Sequence, residues 1–307
     1  MRYENTSNKT CILIAGPTAT GKTSLSIQLA SELNTRIISA DSRQCFRELN
    51  IGVAKPSQAQ LTRVRHYFIN SHSIHDCVNA GSFEKYALAS VQEIFQEQDV
   101  AVMVGGTGLY IKAFCEGIDE IPVVAPAIRI KINADFSDYG LEWLQNQVKI
   151  YDPDYFNKGE IKNPQRLMRA LEIVQGTGRS ILSYQLRQKQ QRDFHVIRIG
   201  LRLSKEELHH NIDHRVNEMI KHGLADEVRS LFPFRQINAL NTVGYNELFE
   251  YIDGKITLDK AIEDIKIHTR HYAKRQMTWF GRDEAIRWFH PDDVIAVKEH
   301  IHGLQKS

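Results

Sequence analysis

A parallel α/β fold around a P-loop, flanked by helices and carrying a helical insertion domain, follows from three observations in this 307-residue chain. Gly16-Pro17-Thr18-Ala19-Thr20-Gly21-Lys22-Thr23 matches G-x-x-x-x-G-K-[ST], a pattern that cradles phosphates. Short β-rich runs alternate with helical patterns through residue 118, as in a parallel sheet with crossover helices. Between residues 119 and 191 the strand signals vanish and helical stretches follow one another.

The elements are expected in this order. The apolar run 11–15 reads as a buried strand and 24–30 as the helix after the loop. Glycine lets the intervening backbone turn its N–H groups toward an anion, and the helix N-terminus adds partial positive charge. Lys22 supplies a full charge, and the Thr23 hydroxyl is placed for Mg²⁺. Such a loop binds a diphosphate or triphosphate but leaves open which bond is broken. Further strands are expected at 36–40, 66–70 and 100–104. Residues 83–96 read as a helix, with Tyr86, Ala87, Val91, Ile94 and Phe95 at helical spacing. The alternating run 195–203 returns the chain to the sheet.

The expected division is a discontinuous core, 1–118 plus 195–307, with an insertion at 119–194; the alternative is more helices on the same sheet. Pro122, Pro126, Asp152-Pro153 and Gly176-Thr177-Gly178 punctuate the insertion, and Asp152 before Pro153 reads as a helix N-cap. Ser204 to Glu207 forms a capping box before a helix carrying Leu208, Ile212, Val216, Met219 and Ile220.

A hydrophobic fraction of 42% fits a globular protein, and a net charge of +2 neither demands nor excludes nucleic acid. Cys11, Cys45, Cys77 and Cys115 are widely spaced, which argues against a disulfide framework or a zinc site. The polar start, residues 1–10, does not read as a signal peptide. No apolar stretch approaches membrane-spanning length, so a cytoplasmic location is expected.

Four further constellations carry candidate chemistry. Asp41-Ser42-Arg43-Gln44 follows an expected strand, where ligands of open α/β sheets bind. Asp41 could be a magnesium ligand, a substrate anchor or a general base, or simply a helix cap. The strand at 100–104 ends in Gly105-Gly106-Thr107-Gly108 rather than the metal-binding aspartate usual in nucleoside triphosphatases. This argues against ordinary ATP hydrolysis, with a plain tight turn as the alternative. Gln165, Arg166 and Arg169 open a helix and suit phosphate backbone and base edges, or a solvated face. Lys266, Arg270 and Lys274 form a helical stripe interleaved with Tyr272 and Trp279, which suits RNA or plain solvent. Arg215, mid-helix among apolar residues, is either an ion-pair partner or a group reaching a leaving phosphate.

Taken jointly, G-P-T-A-T-G-K-T at 16–23, I-S-A-D-S-R-Q at 38–44, G-V-A-K-P at 52–56, V-G-G-T-G-L-Y at 104–110, Q-R-L-M-R-A-L-E at 165–172, V-G-Y at 243–245 and A-K-R-Q-x-T-W-F at 273–280 closely resemble the bacterial tRNA dimethylallyltransferases, also called tRNA isopentenyltransferases. The resemblance covers nearly the whole chain. It implies transfer of a dimethylallyl group from dimethylallyl diphosphate to N6 of the adenosine 3′ of a tRNA anticodon, with Mg²⁺ as cofactor. Asp41, Thr107 and Arg215 would then be catalytic, and residues 16–23 would hold the diphosphate. The anticodon stem-loop would meet Asp41, Ser42, Arg43, Gln44, Arg129, Gln165, Arg166, Leu167, Met168 and Arg169. Asp41 would take the N6 proton, Gln44 would help read the extruded region, and Thr107 would touch either adenine or diphosphate. A monomer is expected. The chain departs from the family at Phe46 (commonly Tyr), Val53 (commonly Thr) and His66-Tyr67 (frequently His-His), and ends without a C-x-x-C extension, as expected for a bacterial form. The competing readings are a P-loop kinase of a small metabolite, a prenyltransferase acting on free nucleotides, and a non-catalytic RNA-binding protein.

Overall fold

The computed structural model describes residues 9–186 and 188–305; the first eight residues, most of the polar start, lie outside them. Six strands form one parallel sheet: β1 (Thr10–Ala15), β2 (Ile37–Ala40), β3 (His66–Tyr67), β4 (Val100–Gly105), β5 (His195–Leu201) and β6 (Arg287–Phe289), in spatial order β3-β2-β4-β1-β5-β6. β1 lies between β4 and β5, and every one of its residues is buried. Burial on both faces explains the unbroken apolar run Cys11-Ile12-Leu13-Ile14-Ala15.

The first helices are α1 (Lys22–Glu32), α2 (Gln58–Arg63), α3 (Ala80–Glu97) and α4 (Gly108–Glu116). Asn79 starts α3 by accepting from Gly81 N and Ser82 N at 2.9 and 3.0 Å, satisfying donors that a helix start leaves orphaned. The expected strand at 66–70 stops at Tyr67. Phe68 and Asn70 have φ of 63° and 54°, a left-handed conformation no strand can hold. Nothing in the sequence pattern marked β6.

By itself, the segment Gly117–Gln190 forms a second compact unit. It contains α5 (Pro126–Tyr151), α6 (Pro153–Lys158) and α7 (Pro164–Thr177). α5 kinks at Gly140, where φ 74° and ψ −166° leave the helical region. The Asp152 side chain caps α6 through Tyr155 N, with Pro153 in the first turn. Ile132, Leu144, Val148, Leu167, Met168 and Leu171 fill the core. The sequence boundary at residue 194 falls four residues beyond Gln190. Arg192 belongs with the sheet unit: it donates to the Ala113 and Phe114 carbonyls at 2.8 Å and pairs with Glu84 at 2.6 Å. It thereby ties off the carbonyl end of α4.

The sheet unit resumes with β5, then α8 (Lys205–Lys221), α9 (Leu224–Leu231), α10 (Tyr245–Ile252), α11 (Leu258–Phe280) and α12 (Val294–Gln305). The capping box at Ser204 is formed as expected, with Glu207 N donating to Ser204 Oγ and Ser204 N to Glu207. Val297 and Ile301 of α12 join Leu25, Ile27 and Leu29 of α1 in one cluster with β1 and β5. α8 and α11 pack against each other, joined by the Arg270–Asp213 ion pair. Among the described residues, no helix is long and apolar enough to cross a membrane.

Candidate active site

The carboxyl ends of β1, β2 and β4 open into a cavity of about 500 Å³, also walled by α8, α11 and the segment before α10. Its polar end is the loop between β1 and α1. Gly16, at φ 142°, packs directly against the Leu201 backbone, where a Cβ would stand 2.5 Å from the Leu201 carbonyl oxygen; only glycine fits there. The Pro17 carbonyl accepts from both Thr20 Oγ1 and Lys22 Nζ. Gly16 and Pro17 therefore shape the loop, while Thr18, Ala19, Thr20, Gly21, Lys22 and Thr23 line the cavity.

Two cations share this end. Arg215 of α8 donates to Thr18 Oγ1 at 3.1 Å, so the structure brings it to the glycine loop. Burial lowers its pKa, opposed by Asp41. Burial first, and then the Arg215 charge, push Lys22 down to about 7, with Asp41 opposing. Burial disfavours both charges and the Arg215 charge further disfavours that of Lys22, so an arriving anion favours the charged forms.

Asp41 follows β2 and lines the same cavity. Its Oδ1 accepts from Arg43 N and Gln44 N at 2.8 and 3.2 Å. It thus caps a turn rather than a helix, and Oδ2 has no hydrogen bond among the described residues. Thr107 stands behind the turn, its Oγ1 accepting from Ser42 N at 3.1 Å. Gln44 is fully engaged: its amide nitrogen donates to the Val53 and Ala54 carbonyls at 3.2 and 3.1 Å, and its oxygen accepts from Ser39 Oγ. The expectation that Gln44 reads a base meets a side chain already spent on fixing the 53–54 loop. Arg43 donates to the Asn241 carbonyl at 3.1 Å.

Two residues to which the sequence assigned no site role organise the cavity. Gln276, buried on α11, accepts from Thr18 N and donates to the Gly106 carbonyl, both at 2.9 Å. It links the anion loop to the glycine turn after β4, and any Cβ on Gly106 would collide with its amide. Its place inside A-K-R-Q-x-T-W-F was the available signal. Glu227 of α9 accepts from Ile51 N, Gly52 N and the Tyr245 hydroxyl at 2.7, 3.1 and 2.6 Å. This joins the V-G-Y motif to the G-V-A-K-P loop, and no local pattern announced it.

The basic stripe on α11 divides. Arg270 is paired with Asp213, while Lys274 and Arg275 are exposed. Tyr272 lines the cavity, and burial of its hydroxyl, followed by the Asp41 charge, pushes its pKa up to about 12. The phenol therefore stays protonated at neutral pH.

Within the helical unit, Arg129 and Arg169 both pair with buried Glu172, at 3.3 and 3.0 Å, and Arg129 also donates to Gln165 at 3.0 Å. Arg166 is exposed. Leu167 and Met168, expected at the tRNA, have their side chains buried in the core of this unit, because the helical period turns them inward.

Half-buried cations around a glycine loop, sharing a cavity with a strand-end carboxylate, define a P-loop protein built to hold a phosphorylated group beside an acid. Comparison with known proteins narrows the class. The IPP transferase family model matches residues 44–283. The tRNA dimethylallyltransferase of Christiangramia forsetii is 48% identical over 282 residues, 92% of this chain and 93% of that protein. The tRNA dimethylallyltransferase 1 of Bacteroides thetaiotaomicron is 44% identical over 292 residues, 95% of each. The crystal structure of a tRNA isopentenylpyrophosphate transferase from Bacillus halodurans superposes with a TM-score of 0.71 at 30% identity, covering 97% of both chains. A eukaryotic dimethylallyltransferase acting on tRNA gives a TM-score of 0.70 at 25% identity, covering 89% of this chain and 70% of that one. The chain belongs to the IPP transferase family.

Gln276→Ala strands the Thr18 N–H and the Gly106 carbonyl, and is expected to cost about 2 kcal/mol of stability and to weaken diphosphate binding; urea denaturation and calorimetric titration check both. Diphosphate affinity should fall as pH rises above about 7, by up to about tenfold per unit, because the free protein loses the Lys22 proton there. The Lys22→Met variant, titrated in parallel to remove the ligand's own ionisation, should lack that component.

Proposed function

We propose that this chain transfers a dimethylallyl group from dimethylallyl diphosphate to N6 of the adenosine 3′ of the anticodon, position 37 of tRNA, and releases diphosphate. The carrying observation is the single cavity in which Lys22 and Arg215 face Asp41, in a chain 48% identical to a tRNA dimethylallyltransferase.

In this reading the N6 lone pair attacks C1 of the donor, the N–C1 bond forms, and the C1–O bond breaks. The electron pair leaves with the diphosphate, where the loop N–H groups, Lys22 and Arg215 meet the developing charge. The proton of N6 passes to Asp41 Oδ2, while the turn N–H groups hold Oδ1. The exocyclic amine is a weak nucleophile, so orientation supplies much of the rate; Tyr272 and the Thr107-braced turn serve that. An adenine stacked in its loop is out of reach, so the base is taken as flipped into the cavity.

Mg²⁺ fits the oxygen chemistry present: the Thr23 hydroxyl lines the cavity and would be the protein group that holds the ion beside the diphosphate. When bound it would add positive charge beside the leaving group. Arg166, exposed on α7, is assigned to the phosphate backbone of the stem-loop, with Arg129, Gln165 and Arg169 held by the Glu172 network beside it. The protein is taken to act as a cytoplasmic monomer.

Incubation with unmodified tRNA, Mg²⁺ and dimethylallyl diphosphate, then nucleoside mass spectrometry, tests the reading: prenylated adenosine supports it, and ATP consumption with unchanged RNA points to a kinase. Asp41→Asn should lower turnover by about 10²-fold or more with tRNA affinity nearly unchanged; lost affinity with intact turnover removes the proton-acceptor role. Arg166→Ala should weaken tRNA binding and reduce the salt slope by about one, read by filter binding across a salt series.

A further inference from the structure

We propose that Met219, with Val216 and Ile265, forms the wall that limits the donor to a five-carbon chain. The inference rests on the donor assignment above and goes beyond it to chain-length selection. Two packed helices carry a gradient of polarity away from the anion loop. On α8, Asn211 donates to the Ala19 carbonyl at 3.2 Å and Arg215 to Thr18 Oγ1 at 3.1 Å. The next cavity-lining positions on that helix are apolar, Val216 and Met219. Met219 stands one turn, about 6 Å of rise, beyond Arg215. On α11, Gln276 touches the loop, and Ile265 lines the cavity eleven residues earlier, about 16 Å along the axis.

A diphosphate held at the loop therefore directs its chain along a path that turns from polar to apolar. Five carbons reach about one helical turn, the stretch over which Val216 and Met219 replace Arg215. A ten-carbon chain needs a second turn and runs into Met219 and Ile265. Val216 and Ile265 are buried and fixed, whereas Met219 is only half-buried. Met219 is thus the side chain whose truncation lengthens the path with least disturbance of the core. Methionine fills such a gap well because its unbranched thioether adapts to the chain beside it.

The test compares geranyl and dimethylallyl diphosphate as donors to unmodified tRNA in single turnover, for wild type, Met219→Ala and Met219→Phe, with inorganic diphosphate as a competitive probe. Met219→Ala should raise the geranyl-to-dimethylallyl ratio of kcat/KM at least tenfold. Met219→Phe should lower dimethylallyl transfer at least tenfold, and neither should shift the inhibition constant of inorganic diphosphate more than twofold. A ratio within twofold of wild type in folded Met219→Ala, checked by its melting transition, overturns the proposal. If that variant does not fold, Met219→Val takes its place with the same criterion. Absence of prenyl transfer by wild type with either donor instead overturns the donor assignment, so the two failures are distinct.

Discussion

Two like charges are held close together in a poorly solvated place, and the architecture around them serves that arrangement. Lys22 and Arg215 line the same cavity; burial and the Arg215 charge depress the ionisation of Lys22, and burial depresses that of Arg215. A folded chain tolerates this only if the backbone that carries the cations cannot relax. Here the loop is fixed from three sides: Leu201 beneath Gly16, Asn211 on the Ala19 carbonyl, and Gln276 on Thr18 N. Preorganised charge of this kind does not have to reorient during reaction, which is where electrostatic catalysis gains over water.

The carboxylate opposite is held just as firmly, but by relay. Glu227 receives the Tyr245 hydroxyl and anchors Ile51 and Gly52. The next two carbonyls, of Val53 and Ala54, engage Gln44, which belongs to the turn that Asp41 caps. Motifs far apart in sequence are therefore parts of one hydrogen-bonded brace. A substitution on α9 can disturb the acid without approaching it.

The parallel sheet and its longer strands were legible from apolar runs and the glycine loop because β1 and β4 are buried almost throughout, which leaves little room for polar residues. The strand at 66–70 was overextended because a left-handed Phe68 carries no sequence mark, and β6 is too short to build a pattern. At the site, Lys22 was readable from the glycine-loop pattern, Asp41 as a carboxylate at the end of a strand, and Arg215 as a charge among apolar residues. Gln276 and Glu227 were not, since their importance lies in backbone partners 170 or more residues away. The burial of Leu167 and Met168 was not legible because a contiguous motif hides which positions a helix turns inward.

The central position of β1 has a consequence for the chain as it leaves the ribosome. β1 is made first, and its partner β4 follows within the first 105 residues, yet its other partner β5 begins at His195. Until then one long edge of an apolar strand stands unpaired, the kind of surface that recruits other chains. The helical segment Gly117–Gln190, rich in local contacts, is synthesised during that interval and has a core of its own, so it is able to form quickly. Its length sets how long the nascent sheet waits with that edge open. Shortening the insertion would bring the two halves of the sheet together sooner in translation.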